Sequence, residues 1–306
     1  MEEHVYRLLL EAAGKEYIAF EEPMREHTTF RVGGNAEVFI APDSIDKICR
    51  ILDICREYGL TCHVIGNGSY LLVGDRGVRG VVLQIYKNFS DMSVQDTCIW
   101  VQAGALLAKT AVFAAEHGLT GLEFASGIPG TVGGAVTMNA GAYGGEMKDV
   151  ISQVRILDPE GKLRTFSVEE LQLGYRASLI QKQGCLVVEA ELALTRGEPE
   201  KIYGRMEELK AARKEKQPIE FASAGSTFKR PEGHFAGALI EKNGLKGAKI
   251  GGAMVSEKHA GFIVNVGSAT AGDILELIAR VQRAVLEKDG VALETEVRVV
   301  GEEPDI

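Results

Sequence analysis

The sequence predicts an α+β protein, with α/β subdomains first and a C-terminal α+β domain after them. Three observations carry that expectation. Apolar residues recur at helical spacing in some stretches and at strand spacing in others, and the order strand, helix, strand appears twice. Glycine is in excess: 36 of 306 residues, where ordinary usage of about 7% would give about 21. The pattern then changes at Arg196-Gly197-Glu198-Pro199, where a long charged helix begins. The usual domain size suggests about two domains for such a length, and the pattern places segments at 1–84, 85–197 and 198–306.

A short helix is expected over 2–13, followed by a strand-like run over 28–40 that Gly33 and Gly34 interrupt. Ser44 opens a helix with Ile45, Ile48, Cys49, Leu52 and Cys55 on one face, and Gly59 ends it. A short strand ends at Ile65, the loop Gly66-Asn67-Gly68-Ser69-Tyr70 follows, and a second strand covers 78–85. The second unit repeats this plan with a strand over 98–103 and an apolar helix over 106–117, closed by Gly118. Two strands flank the Asp158-Pro159-Glu160-Gly161 turn, Ser167-Val168-Glu169-Glu170 reads as a capping box opening a short helix, and a strongly apolar strand covers 185–194. Helices over 200–216 and 271–288 and a final strand over 291–300 complete the pattern.

Composition excludes several functions. Lys+Arg total 34 against Asp+Glu 43, a formal charge of −9, so the chain lacks the basic footprint that phosphate-backbone binding needs, and no nucleic acid is expected. The densest basic stretch, 210–216, reads as the solvated face of a helix. No apolar run approaches the roughly 18 residues of a membrane span, and Met1-Glu2-Glu3-His4 lacks the cationic opening of a secretory signal, so a cytoplasmic location and no membrane partner are expected. Five cysteines form no metal-like spacing, which favours reduced thiols and no metal site.

Glycines crowd where backbone N–H groups approach an anion or where φ is positive, so the clusters are candidate phosphate cradles as well as tight turns. Two fingerprints fail: Gly66-Asn67-Gly68-Ser69-Tyr70-Leu71 has Leu where a Rossmann loop wants Gly or Ala, and Ala108 replaces a P-loop glycine before Lys109-Thr110. The stretch 123–144 is too irregular for a helix or strand and reads as a long ordered loop, able to lay a ligand diphosphate on peptide N–H groups, with Ser126, Thr131 and Asn139 as hydrogen-bond partners. Three further spots could carry chemistry: Tyr175-Arg176-Ala177-Ser178, the hydroxyl- and cation-bearing 223–231 loop, and Glu294 with Glu296, which share one strand face with Arg298. An Arg after a Tyr is usually a surface salt-bridge residue, the loop is also readable as a plain turn, and an exposed strand edge explains Glu294 and Glu296 equally well.

Taken together, several of these segments resemble the flavin-dependent UDP-N-acetylenolpyruvoylglucosamine reductases of bacterial peptidoglycan synthesis, the MurB family. The resemblance runs over about 27–301 and rests on His27-Thr28-Thr29-Phe30-Arg31-Val32-Gly33-Gly34, Gly66-Asn67-Gly68-Ser69, the 126–144 stretch, Tyr175-Arg176-Ala177-Ser178, Ala224-Gly225-Ser226-Thr227-Phe228-Lys229 and Leu293-Glu294-Thr295-Glu296-Val297-Arg298. It implies a fold of the vanillyl-alcohol-oxidase/MurB type, with FAD on the first two segments and substrate on the third. It implies FAD contacts from Arg31, Gly33, Gly34, Gly66, Asn67, Gly68 and Ser69, and from Ser126, Gly127, Pro129, Gly130, Thr131, Gly133, Gly134, Asn139, Ala140 and Gly141. NADPH would reduce the flavin, hydride would pass from flavin N5 to the enolpyruvyl substrate, Ser226 would supply the proton, and Arg176 with Glu296 would stabilise the enolate. Tyr175, Lys229 and Tyr143 would contact substrate, with Tyr143 and the 242–258 region as guesses for the uridine.

Tyr70 stands where the family commonly has Asn, and Asn35 and Thr295 replace commonly seen prolines. The short spacing from Ser178 to Ser226 indicates the family type that lacks a tyrosine loop over the substrate. The sequence leaves the oligomeric state open. Competing readings are an FAD oxidase of the vanillyl-alcohol-oxidase type and a nonenzymatic nucleotide-sugar or flavin-binding module.

Overall fold

A computed structural model describes residues 1–301 of the chain. Packing groups them into two units built from separated stretches: 1–19, 39–67 and 81–213 in the first, and 20–38, 68–80 and the chain from 214 onward in the second. The chain changes unit inside the strands Ile18–Pro23, Asn35–Ile40 and Val78–Gln84, between Asn67 and Gly68, and inside the helix Pro199–Lys216. This is a different partition from the consecutive segments 1–84, 85–197 and 198–306.

The first unit contains an antiparallel five-stranded sheet in the order Leu163–Ser167, Ile151–Leu157, Leu186–Ala193, Cys98–Gln102, Met92–Gln95. Its turn at Asp158 forms because the carboxylate accepts from the N–H groups of Glu160 and Lys162, at 3.1 and 2.8 Å, and from Arg164 Nε at 2.6 Å. The helix Ile45–Glu57 starts where expected: Ser44 Oγ accepts from Lys47 N, Ile48, Ile51 and Cys55 are buried, and Gly59 at φ 61° follows its end. Cys62–Ile65 then pairs in parallel with 81–84, completing the crossover that the spacing predicts. The helix Leu107–Glu116 buries Leu107, Thr110, Ala111, Ala114 and Ala115, and ends before Gly118 at φ 65°.

The second unit packs around the helix Ala271–Asp289, whose Ile274, Leu277, Ile278, Val281 and Val285 are buried together with Phe30, Val32, Leu72 and Phe228. A three-stranded antiparallel sheet (Lys249–Ile250, Ala253–Val255, Ile263–Asn265) belongs to this unit. The first N–H groups of the long helix all have acceptors. Asp75 Oδ1 and Oδ2 take Ala271 N and Gly272 N at 2.8 and 2.9 Å, and Thr270 Oγ takes Asp273 N at 3.0 Å while Asp273 bonds back. A carboxylate at that end also opposes the helix dipole.

Four expectations change. The stretch 123–144 is not a continuous loop, because Val132–Thr137 is helical. Its glycines disfavour a helix by intrinsic propensity, but Thr131 caps it and Val132 N and Gly133 N donate to Ala105 O and Ala103 O, both at 2.8 Å. The capping-box bonds of Ser167 and Glu170 form, yet no helix follows, since Gln172 turns left-handed at φ 48°. The final strand is only Arg298–Val300, parallel to Leu71–Val73, because 294–296 pair separately with 227–229. The 28–40 run is a strand only over Asn35–Ile40, with Arg31 at φ 57° and Gly33 at φ 119° before it. Strands Ile18–Pro23, Leu71–Val73 and Met92–Gln95 were not anticipated. Among the described residues no helix is long and apolar enough to cross a membrane.

Asp75 lies far in sequence from the helix it caps. Asp75→Ala should lower unfolding stability by about 1.5–3 kcal/mol, the range for hydrogen bonds to a charged group, read from urea midpoints at unchanged slope.

Candidate functional site

In the first unit, the residues singled out from sequence gather on the 121–145 stretch and on the turn at 174–177. Ser126 closes a 3₁₀ turn, Glu123–Ala125, by donating from Oγ to Glu123 O at 2.8 Å. Thr131 is buried: its Oγ caps the short helix, and the same oxygen would lie 2.5 Å from a Cβ on Gly66. Gly133 is needed for packing, since a Cβ there would come within 2.8 Å of Ala103 Cβ. Gly141–Ala142 pairs with Gly145–Glu146, and Tyr143 (φ 53°) with Gly144 (φ 91°) makes the tight hairpin between them, leaving the Tyr143 ring exposed.

Backbone donors separate into two groups. The N–H groups of Val132, Gly133 and Gly134 are already bonded, to Ala105 O, Ala103 O and Thr131 Oγ. Among the described residues, those of Gly66, Asn67, Gly127 and Gly130 donate to no protein acceptor, and neither does the Asn67 side chain. Beside Gly127 lies a cation that sequence reasoning had placed on a solvated face. Arg213 Cδ and Nη1 sit 3.1 and 3.3 Å from where a Gly127 Cβ would be, the side chain is half-buried, and burial pushes its basicity down while Tyr143 raises it. Among the described residues Arg213 makes no hydrogen bond or ion pair. Its signal was present in the sequence: Ile202, Met206 and Leu209 form the buried stripe of Pro199–Lys216, and position 213 continues it at i+4. The other cations of that helix behave as expected, in exposed pairs such as Arg205–Glu208 and Lys210–Glu207.

Arg176 sits on a turn closed by Gly174 N to Ala177 O at 2.9 Å and Ala177 N to Gly174 O at 3.3 Å. Its own backbone is left-handed at φ 52°, and its guanidinium carbon lies 5.4 Å from the centroid of the exposed Tyr175 ring. Asn139, expected to contact a ligand, has its amide engaged inside the protein. Nδ2 donates to Glu146 Oε2 at 2.8 Å and Gly174 O at 3.2 Å, and Oδ1 accepts from Lys148 N at 3.0 Å.

In the second unit, Thr227 organises the remaining candidates. It is buried, donates from N to Gly261 O, accepts Glu296 N at its carbonyl at 2.7 Å, and accepts Ile263 N at Oγ at 3.0 Å. Ser226 is thereby held next to the Glu296 backbone, exposed, on a bend that begins at Gly225 (φ 75°). Glu294 and Glu296 do not share a face: Glu296 is buried, whereas Glu294 is exposed and pairs with Lys229 Nζ at 3.0 Å. The irregular 294–296 pairing breaks the alternation that a straight strand would have kept. Arg31, Gly33, Gly34, Gly68 and Ser69 also belong to this unit. A Cβ on Gly33 would lie 2.7 Å from Val73 Cβ, one on Gly34 would overlap Asp75 O, and one on Gly68 would overlap His27 O. Of the 242–258 lysines, Lys242 pairs with Asp289, Lys246 with Glu241 and Lys258 with Glu220.

Pro129 and Ala140 lie with the other first-unit candidates, and Ala140 N donates to Ala135 O at 2.8 Å. The units therefore divide the candidate catalytic residues: Arg176 in the first, Ser226 and Glu296 in the second.

Comparisons with known proteins point to one family. A family model described as UDP-N-acetylenolpyruvoylglucosamine reductase, C-terminal domain, matches residues 217–300, and an FAD binding domain model matches residues 36–167. The UDP-N-acetylenolpyruvoylglucosamine reductase of Syntrophomonas wolfei is 49% identical over 299 residues, 98% of this chain and 100% of its own length. That of Clostridioides difficile is 48% identical over 299 residues, 98% of each chain. The crystal structure of the Thermus caldophilus UDP-N-acetylenolpyruvylglucosamine reductase gives a TM-score of 0.79 at 39% identity, covering 92% of this chain and 98% of that one.

Two glycines separate conformational need from space. Gly225 has a positive φ but nothing within 4 Å of a Cβ, while Gly34 faces the Asp75 and Gly77 backbone. Gly225→Ala should cost about 1–2 kcal/mol, the left-handed penalty, and Gly34→Ala about 3 kcal/mol, the upper range of overpacking; thermal unfolding of both variants checks the order.

Proposed function

Because the chain belongs to the UDP-N-acetylenolpyruvoylglucosamine reductase family, we propose that it reduces UDP-N-acetylglucosamine enolpyruvate to UDP-N-acetylmuramate with NADPH and FAD, in cytoplasmic peptidoglycan synthesis. The observation that carries this reading is identity near 49% along 98% of the chain and the whole length of the relative. On this reading the segments 1–84 and 85–197 serve the flavin and 198–306 the substrate.

The residues present suit a dinucleotide. Among the described residues, the N–H groups of Gly66, Asn67, Gly127 and Gly130 are unbonded and offer neutral donors, and Arg213 offers a partly desolvated charge without a counterion. What bound FAD supplies is a two-electron carrier that NADPH reduces and that yields hydride to the terminal alkene carbon. The rest of the chemistry falls to side chains. As hydride adds, negative charge grows on the substrate carboxylate, and Arg176 would stabilise it. The adjacent carbon then needs a proton, which Ser226 would donate. A serine hydroxyl is a weak acid, so it serves only a strongly basic carbon, and its departing charge needs donors nearby. Lys229 is poorly suited to that task because Glu294 already pairs with it. Glu296, buried and fixed to Thr227 through its backbone, would act beside the carbon being protonated.

The purified protein should be yellow, NADPH should bleach it anaerobically, and UDP-N-acetylglucosamine enolpyruvate should restore the colour. Return of colour only with oxygen, with peroxide formed, would indicate an oxidase instead. Ser226→Ala should keep the NADPH step and lose about 10²–10⁴-fold in substrate reduction, the usual range for a general acid; turnover at the wild-type rate would remove Ser226 from the mechanism. Arg213→Ala should weaken FAD binding about 10–100-fold, as expected for one charge-assisted hydrogen bond, with Arg213→Lys recovering part of it; flavin titration of the apoprotein measures both.

A further inference from the structure

Arg176 occupies a left-handed backbone conformation (φ 52°) that is strained for a non-glycine residue, so its surroundings must hold it there. The holding groups can be traced outward. On its C-terminal side, Ser178 Oγ donates to Thr137 O at 2.7 Å, and Gln181 Nε2 donates to Arg176 O at 3.3 Å. On its N-terminal side, the Gly174 carbonyl that closes the turn also accepts from Asn139 Nδ2 at 3.2 Å. Asn139 is itself left-handed (φ 43°) and 2% exposed, so its amide has few alternatives.

That amide is oriented by charge. Glu146 Oε2 accepts from the same Nδ2 at 2.8 Å and from Lys148 Nζ at 2.9 Å, and the Lys148 N–H fixes Asn139 Oδ1 at 3.0 Å. Only an amide can donate to both Glu146 and Gly174 while accepting from Lys148; a carboxylate at 139 would face the Glu146 carboxylate. Glu146 is fixed in turn by a reciprocal capping box with Asp149. Lys148, then Asn139, hold its carboxyl below the usual range, and Arg176 contributes in the same direction, so the Glu146 charge is felt at the Arg176 guanidinium.

We infer that Asn139 and Glu146 are positioning residues for Arg176: the Asn139 amide, clamped by the Glu146 carboxylate, fixes the Gly174–Ala177 turn that presents the guanidinium. The inference rests on the reading of Arg176 as the group that meets the substrate carboxylate. Neither residue needs to touch the flavin or the substrate. Misplacing an oriented guanidinium by about 1 Å can cost on the order of 10²-fold in rate without altering cofactor binding.

The test separates the two half-reactions by anaerobic stopped flow and follows flavin absorbance. The NADPH step involves no enolpyruvyl carboxylate, so Glu146→Ala should leave it and the FAD content near wild type while slowing substrate reduction about 10–100-fold, chiefly in kcat. Glu146→Gln, which keeps an acceptor for Asn139, should regain most of that loss, and Asn139→Ala should resemble Glu146→Ala. In an Arg176→Ala background the Glu146→Ala effect should vanish. If Glu146→Ala slows both half-reactions equally or sheds FAD, or if its effect persists without Arg176, the positioning role is overturned. If Arg176→Ala itself leaves substrate reduction unchanged, the reading of Arg176 fails first. Should Asn139→Ala not fold, the partly exposed Glu146 position still decides the matter.

Discussion

The constraint on which the loops of this protein depend is the approach of one backbone to another at distances that exclude a Cβ. Gly34 lies against Asp75 and Gly77, Gly68 against His27, and Gly133 against Ala103. Each contact joins stretches far apart in sequence and fixes a loop that ordinary side chains would hold away. The glycine clusters are therefore mainly devices of internal packing. By drawing Gly133 onto Ala103 and capping Gly134 with Thr131, the fold uses three N–H groups internally; those of Gly66, Asn67, Gly127 and Gly130 have no protein acceptor among the described residues.

The helices Ile45–Glu57 and Ala271–Asp289 were legible because both carry agreeing local signals: apolar spacing, a hydroxyl N-cap (Ser44 and Thr270), and a left-handed glycine after the end (Gly59 and Gly290). Where local and tertiary signals disagreed, the tertiary ones prevailed. Val132–Thr137 contains two glycines and reads as loop, yet carbonyls at 103 and 105, in the turn after Cys98–Gln102, anchor its first turn. Ser167 and Glu170 make their reciprocal bonds, but a left-handed Gln172 leaves nothing to propagate. Two short pairings with different partners, 294–296 with 227–229 and 298–300 with 71–73, imitated one long strand in the hydrophobic pattern.

At the site, the motifs drew attention to residues with strained backbones but not to what those residues touch. Among the described residues seven non-glycine residues have positive φ, and four of them, Arg31, Asn139, Tyr143 and Arg176, belong to the motifs singled out from sequence. Backbone strain of this kind concentrates where surrounding structure over-determines a residue for a purpose. No residue-type pattern reveals φ, so the engagement of Asn139 by Glu146 and Gly174 could not be read, and its amide looked available to a ligand. Arg213 was missed for the opposite reason: its neighbours are charged, and a charge run masks the one member that continues the buried stripe.

An acidic chain that handles anionic ligands presents a conflict only if charge is summed over the whole molecule. At physiological ionic strength the screening length is about 8 Å, so a ligand responds to the nearest few groups rather than to a net charge of −9. Those groups are unequal. Lys229 is exposed and paired with Glu294, and an exposed pair contributes under about 1 kcal/mol and screens its own lysine. Arg213 is half-buried, has no counterion among the described residues, and already bears the cost of desolvation in the folded chain. An anion that reaches it gains the full interaction without displacing a protein carboxylate. The useful measure of electrostatic fit in this fold is therefore the count of desolvated, unpaired cations, and by that measure the first unit is prepared for an anion despite the acidic total.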